Sequence, residues 1–133
     1  MILVTGATGT IGTELLRQLV AAGIPAFGMT RRELPGFVRG DFDDPDSLRK
    51  AIDGAGTLFM LSAPGPRVPE HDRAMVAAAV DAGVSKLVKL SAIGSTDDEL
   101  PGTASMRSSI HVMSRLLPRQ HWYPTITTGR RTR

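Results

Sequence analysis

Ile2-Leu3-Val4-Thr5-Gly6-Ala7-Thr8-Gly9-Thr10-Ile11-Gly12 is the stretch whose reading decides the fold. An apolar run opens it, glycines recur at every third position, and a helical pattern begins before the last of them. That order describes a buried strand, a tight turn and a helix N-terminus, in which backbone N–H groups and the helix dipole can hold a pyrophosphate. The spacing is Gly-x-x-Gly-x-x-Gly, with Thr8 where the commoner dinucleotide fingerprint carries its second glycine. Gly6 permits the turn, Gly9 lets the backbone approach phosphate, and Gly12 lets helix and sheet pack closely. Thr8, Thr10 and Ile11 supply hydroxyls and N–H groups beside them.

Downstream, Ile11, Leu15, Leu16, Leu19 and Val20 recur at helical spacing and Gly23 stops the helix. Ile24 to Thr30 reads as a second strand, with Pro25 tolerated at its start, and Phe37-Val38-Arg39 as a short third one. Asp44 and Pro45 are a cap and a first helical residue for a helix that turns Leu48, Ala51 and Ile52 inward and ends at Gly54. The unbroken apolar run Thr57 to Leu61 suits a parallel strand covered on both faces. A helix from Glu70 to Ala82 and a strand from Lys86 to Ser91 follow. Strands interleaved with helices predict an α/β fold, a Rossmann-type doubly wound parallel sheet whose first and fourth strands flank the ligand-binding switch point. Beyond Ala92, Met106 to Leu117 is expected to be one more helix. Trp122 to Thr128 suggests a sixth strand interrupted by Pro124, and Thr127 to Arg133 is expected to be disordered. Residues 1–117 are thus expected to form the dinucleotide-binding domain and 118–133 a basic, disordered tail.

Charge divides the chain somewhat earlier, after Met106. Residues 1–106 hold 10 Lys/Arg against all 13 Asp/Glu, whereas residues 107–133 hold six arginines and no acid. The formal net charge of +3 therefore belongs to the tail, and the mildly acidic body offers no DNA-binding surface. No window approaches the ~18 apolar residues of a membrane span. No basic leader precedes the glycine turn and there are no cysteines, so a cytoplasmic location is expected.

Side chains at the ends of the strands extend the ligand reading. About 20 residues past the glycines an NAD site places an acid against the ribose diol, whereas an NADP site places an arginine against the 2′-phosphate. Met29-Thr30-Arg31-Arg32 favours NADP(H) through Arg31, with Glu33 keeping NAD(H) open. Asp41, beyond the third strand, is placed to accept from an adenine amino group. The acids Asp41, Asp43, Asp44 and Asp46 do not match a calcium loop, because Pro45 and Ile52 stand where ligands are needed. Ser62-Ala63 and Ser91-Ala92 lie at strand C-terminal ends, where open α/β sheets bind ligands. His71, His111 and His121 share no ligand spacing and are expected at the surface.

Taken together, Thr5 to Gly12, Arg31-Arg32, Gly40-Asp41 with Leu48 and Gly54, and Lys86-Leu87-Val88-Lys89-Leu90-Ser91-Ala92-Ile93-Gly94 resemble the NmrA-like, NAD(P)H-binding atypical short-chain dehydrogenases. The resemblance covers about residues 1–95. It implies that the glycine loop binds the dinucleotide, Arg31 the 2′-phosphate, Asp41 and Phe42 the adenine, and Ser62 and Ala63 the nicotinamide-side ribose. It also implies hydride transfer to a small carbonyl or quinone. A noncatalytic NADP(H) sensor acting through a protein partner is the alternative. The Tyr-x-x-x-Lys pair of short-chain dehydrogenases is missing, since Tyr123 is the only tyrosine and position 127 is Thr127. The relatives' later Arg-Pro strand and substrate segment have no counterpart. The fold is therefore expected to be truncated after its fifth or sixth strand, by a frameshift or early stop between Pro101 and Arg119, with a genuine short relative bearing a basic tail as the alternative, and no catalytic residue is expected in the chain.

Overall fold

The computed structural model describes residues 1–62, 65–92, 108–114 and 123–126. In chain order they carry β1 (Ile2–Val4), α1 (Thr10–Ala21), β2 (Ala26–Thr30), β3 (Phe37–Arg39), α2 (Pro45–Ile52), β4 (Thr57–Met60), α3 (Val68–Asp81), β5 (Lys86–Ala92), β6 (Ser108–Ser114) and β7 (Tyr123–Ile126). The strands form one sheet in the order β3-β2-β1-β4-β5-β6-β7. β1 to β5 are mutually parallel, as the Rossmann-type reading predicts, and β6 and β7 continue the sheet antiparallel. The chain winds outward from β1 to β3, then returns to β1's other side as β4. That reversal puts a switch point at the C-terminal ends of β1 and β4.

Local chemistry accounts for the elements. Leu3 and Val4 are fully buried in the central strand. α2 begins where Asp44 Oδ1 accepts from the Ser47 N–H at 3.3 Å, with Pro45 in its first turn, as the capping pattern predicts. β2 and β3 are parallel yet joined by residues 31–36 alone. A helical crossover is dispensable here because β3 starts level with Gly28, two residues below the end of β2, so the chain steps back only ~7 Å.

The core lies on one face of the sheet. Leu3, Met29, Leu58, Met60 and Leu87 meet Leu48, Ala51 and Ile52 of α2 and Met75, Ala78 and Ala79 of α3, all buried. Each large side chain among them contributes about 1.5–3 kcal/mol by leaving water. The other face carries α1, in which only Gly12 is buried. Leu15, Leu16 and Leu19 are half-buried, but Ile11 and Val20 remain 53% and 67% exposed, so these two are not the inward residues that the spacing predicts.

Residues 108–114 are strand β6, not part of a helix over 106–117. All seven pair with β5, from Lys86↔Ser114 to Ala92↔Ser108. The spacing of Ile110 and Met113 fits a helix, but Ile110 and Val112 also alternate as in a strand, and a long neighbouring strand decides between them. β7 lies within the stretch expected as a sixth strand and inside the segment 118–133 expected as a disordered tail. It ends the described sheet, where the missing N–H of Pro124 is tolerated. Residues 127–133, expected to be disordered, and most of the span proposed for a frameshift lie outside the described residues.

Candidate functional site

The turn between β1 and α1 is built by two glycines that the fold demands and one that it does not. Gly6 has φ +59°, and a Cβ there would lie 3.0 Å from Leu61 Cβ. A Cβ on Gly12 would overlap Gly6 O and lie 2.8 Å from Ala7 Cα, so this glycine seats the helix on the turn itself. A Cβ on Gly9 would meet nothing closer than Gly6 O at 3.4 Å, an ordinary contact. Gly9 is exposed and is the N-cap of α1, with no side chain capping the helix and no acid in its first turn. The first N–H groups of α1, those of Thr10 and Ile11 included, therefore face outward beside an open backbone, with Thr8 exposed next to them.

To one side, over β2 and β3, lie the residues assigned to the adenosine half. Thr30 is buried at the end of β2 and its Oγ1 accepts from the Arg32 N–H at 3.3 Å. Arg31 and Arg32 are exposed and, among the described residues, form no ion pair. Asp41 is half-buried; its N–H donates to Ser47 Oγ at 2.8 Å and its Oδ1 accepts from the Asp43 N–H at 2.9 Å. Phe42 packs on the core and stacks on His71 of α3, ring centroids 5.3 Å apart and planes at 22°. His71 Nε2 is 3.1 Å from Asp43 Oδ1, which also takes Arg67 at 2.8 Å. His71, with its side chain 27% exposed, thus ties α3 to the β3–α2 loop. The sequence signal was weak, since Phe42 and His71 lie far apart in the chain. His111 is in β6, and His121 lies outside the described residues.

On the other side, β4 is followed by Leu61 and Ser62. Thr5 is fully buried at the end of β1. Its Oγ1 donates to Leu61 O and accepts from the Leu61 N–H, both at 2.8 Å. The side chain thereby carries the β1–β4 pairing one step past the backbone ladder and holds the β4 end against Gly6, a role with no signature in the sequence. Ser62 Oγ donates to Asp72 Oδ1 at 2.5 Å, and Asp72 Oδ2 accepts from Lys89 Nζ. Ala63, assigned with Ser62, lies outside the described residues. Tyr123 is far from all of this: it pairs with Ser114, which pairs with Lys86, so it sits level with the N-terminal ends of the parallel strands. The ligand edge is the opposite one.

The arrangement is an anion-accepting turn at a switch point, flanked by a cationic strand end on one side and a hydroxyl on the other. A family model described as NAD(P)H-binding matches residues 6–121. The NAD(P)H azoreductase of Xenophilus azovorans is 35% identical over an alignment of 107 positions that covers 74% of this chain and 37% of that protein. The triphenylmethane reductase of Citrobacter sp., solved in complex with NADP(H), superposes with a TM-score of 0.56 at 31% identity, over 63% of this chain and 34% of that one. The NADPH-dependent quinone oxidoreductase of Escherichia coli, solved in complex with NADPH, gives 0.58 at 26% identity, over 64% and 34%. This chain thus spans little more than a third of the length of the relatives it matches. Among its described residues no helix is long and apolar enough to cross a membrane.

Proposed function

Since this chain belongs to the NAD(P)H-binding family of NmrA-like, atypical short-chain dehydrogenases, we propose that it binds NADP(H) in preference to NAD(H) and serves a reductase of small conjugated carbonyl or quinone-type acceptors. The observation that carries the reading is Gly9. The fold needs glycine at 6 and 12, whereas at 9 it leaves room for a side chain, and the bare backbone there keeps the helix N–H groups open to phosphates. The residues fit the cofactor along its length. Thr8, Gly9, Thr10 and Ile11 hold the pyrophosphate, and Arg31 pairs with the 2′-phosphate without giving up another partner. Asp41 accepts from the adenine amino group beside Phe42, and Ser62 with Ala63 meets the nicotinamide-side ribose. When bound, the cofactor supplies a hydride from its nicotinamide ring, and the protein positions it.

A noncatalytic sensor is the second reading, favoured by the position of Tyr123. The backbone of the one tyrosine in the chain is paired level with the sheet end opposite the ligand edge. The azoreductase, triphenylmethane reductase and quinone oxidoreductase point toward conjugated acceptors for the complete protein. Turnover with a panel of quinones separates the readings: reduction supports the enzyme, and binding without reduction supports the sensor.

The cofactor itself is tested by titrating NADPH and NADH fluorescence against wild type, Gly9→Asp and Arg31→Ala. Gly9→Asp is expected to abolish binding of both. Arg31→Ala is expected to weaken NADPH by about 10- to 100-fold, a charge-assisted contact of ~1.5–3 kcal/mol, with little effect on NADH. Equal losses for the two cofactors would remove Arg31 from its role.

A further inference from the structure

Ser62, Asp72 and Lys89 come from three consecutive elements and form one chain of hydrogen bonds under the ligand edge. Ser62 is half-buried just past β4, Asp72 is on the first turns of α3 with its side chain 15% exposed, and Lys89 is on β5 with its side chain 27% exposed. A serine hydroxyl has one proton and two acceptor lone pairs. Here the proton is committed to Asp72. Asp72 cannot release it cheaply, because its other oxygen is engaged by Lys89 and a carboxylate this sheltered needs both partners. Among the other polar groups on α3's first turns, Arg67 and Glu70 pair with each other, Arg67 and His71 both meet Asp43, and Arg73 is exposed with no ion pair among the described residues. Lys89 and Asp72 are therefore left to each other.

We propose that Asp72, anchored by Lys89, fixes the polarity of Ser62, so that Ser62 offers the ligand only acceptor lone pairs and selects a hydroxyl donor there, a ribose O–H of the second nucleotide. The inference rests on the dinucleotide reading above. Strand order supplies the place: the adenosine half lies over β2 and β3, the phosphates over β1, and the second ribose consequently over β4 and β5, where Ser62 stands. Asp72 and Lys89 touch no ligand and are positioning residues. Lys89 matters for a further reason. In Asp72→Asn its ammonium would claim the amide oxygen, turn the NH2 toward Ser62, and leave the serine proton facing the ligand, reversing the polarity with almost no change of shape.

The test uses two ligands that share the adenosine half, NADPH and adenosine 2′,5′-bisphosphate, the latter without the second ribose. Binding to the full chain is followed for wild type, Asp72→Asn and Ser62→Ala. Both variants are expected to weaken NADPH about tenfold, the loss of one hydrogen bond, and to leave the bisphosphate within about twofold. Equal losses for both ligands would make the network a support of the fold only, and no loss in either variant would remove it from recognition. Either result overturns the proposal while leaving the dinucleotide reading intact. If wild type binds neither ligand, the dinucleotide reading falls and the proposal falls with it.

Discussion

Single residues at the switch point carry costs that spacing alone does not reveal. Thr5 is the clearest. Leu61, its partner through two hydrogen bonds, is 56 positions away, and the threonine is indistinguishable in the sequence from any polar residue closing a strand. Replacing it by valine keeps the volume but strips the Leu61 carbonyl and N–H of their buried partner, at a cost of about 1–3 kcal/mol. Thr5→Val should therefore lower the denaturation midpoint in urea and weaken NADPH, since the β4 end loses its register against Gly6; an unchanged midpoint would mean that water replaces the hydroxyl. The three glycines were legible because a strand, a turn and a helix in twelve residues leave few alternatives. That only Gly9 of the three has room for a Cβ was not, because it depends on Leu61, Gly6 and Ala7 converging on the other two. The pairing of Asp72 with Lys89, 17 positions apart across a strand and a helix, was hidden for the same reason.

At the scale of elements, the sequence speaks most clearly where local and tertiary preferences agree. α2 has its cap, its proline and its inward face all in agreement, and it forms as read. α1 follows its predicted span, but its apolar stripe is only half covered. Its solvent face is held by Glu14, whose carboxylate accepts from Arg17 Nε at 2.9 Å and from Gln18 at 2.8 Å. The hydrogen bond from Arg17 pushes the Glu14 pKa down to about 2. A carboxylate held below its unfolded value stabilises the helix above roughly pH 4.3, and that contribution disappears as pH falls through about 2. The carboxyl carbon of Glu14 should thus titrate near pH 2 in NMR, and in Arg17→Ala it should return toward the ordinary carboxylate range. A mid-range titration in wild type would show that the exposed pair does not persist in water. β6 shows where local reading fails. Its apolar residues fit either period over seven positions, and what settles the matter is the open edge of β5, which offers a full row of backbone partners.

Over the whole molecule, the elements are held together on one face by the core and at one edge by the glycine turn. The core joins β1, β2, β4 and β5 to α2 and α3. Past the ladder, the ends of β1 and β4 are tied by Thr5, and the proposed dinucleotide site runs across the ends of β1, β2 and β4. Binding should therefore stabilise the whole domain and not only the loops. A ligand that binds the native state alone contributes RT ln(1 + [L]/Kd), about 2.7 kcal/mol at 100 times Kd. For a domain of this size that corresponds to a rise of about 10 °C in Tm. NADPH at that ratio should produce such a shift in differential scanning fluorimetry, and NADH at the same concentration a smaller one. In Arg31→Ala the two cofactors should converge, because the difference between them is a single phosphate. A full NADPH shift that survives Arg31→Ala would place the 2′-phosphate on another cation, with Arg32 the neighbour to remove next. If fluorescence titration shows binding while Tm stays fixed, the ligand edge is uncoupled from the core. Thr5, which ties the β1 and β4 ends that carry them both, could not then be the link between site and fold.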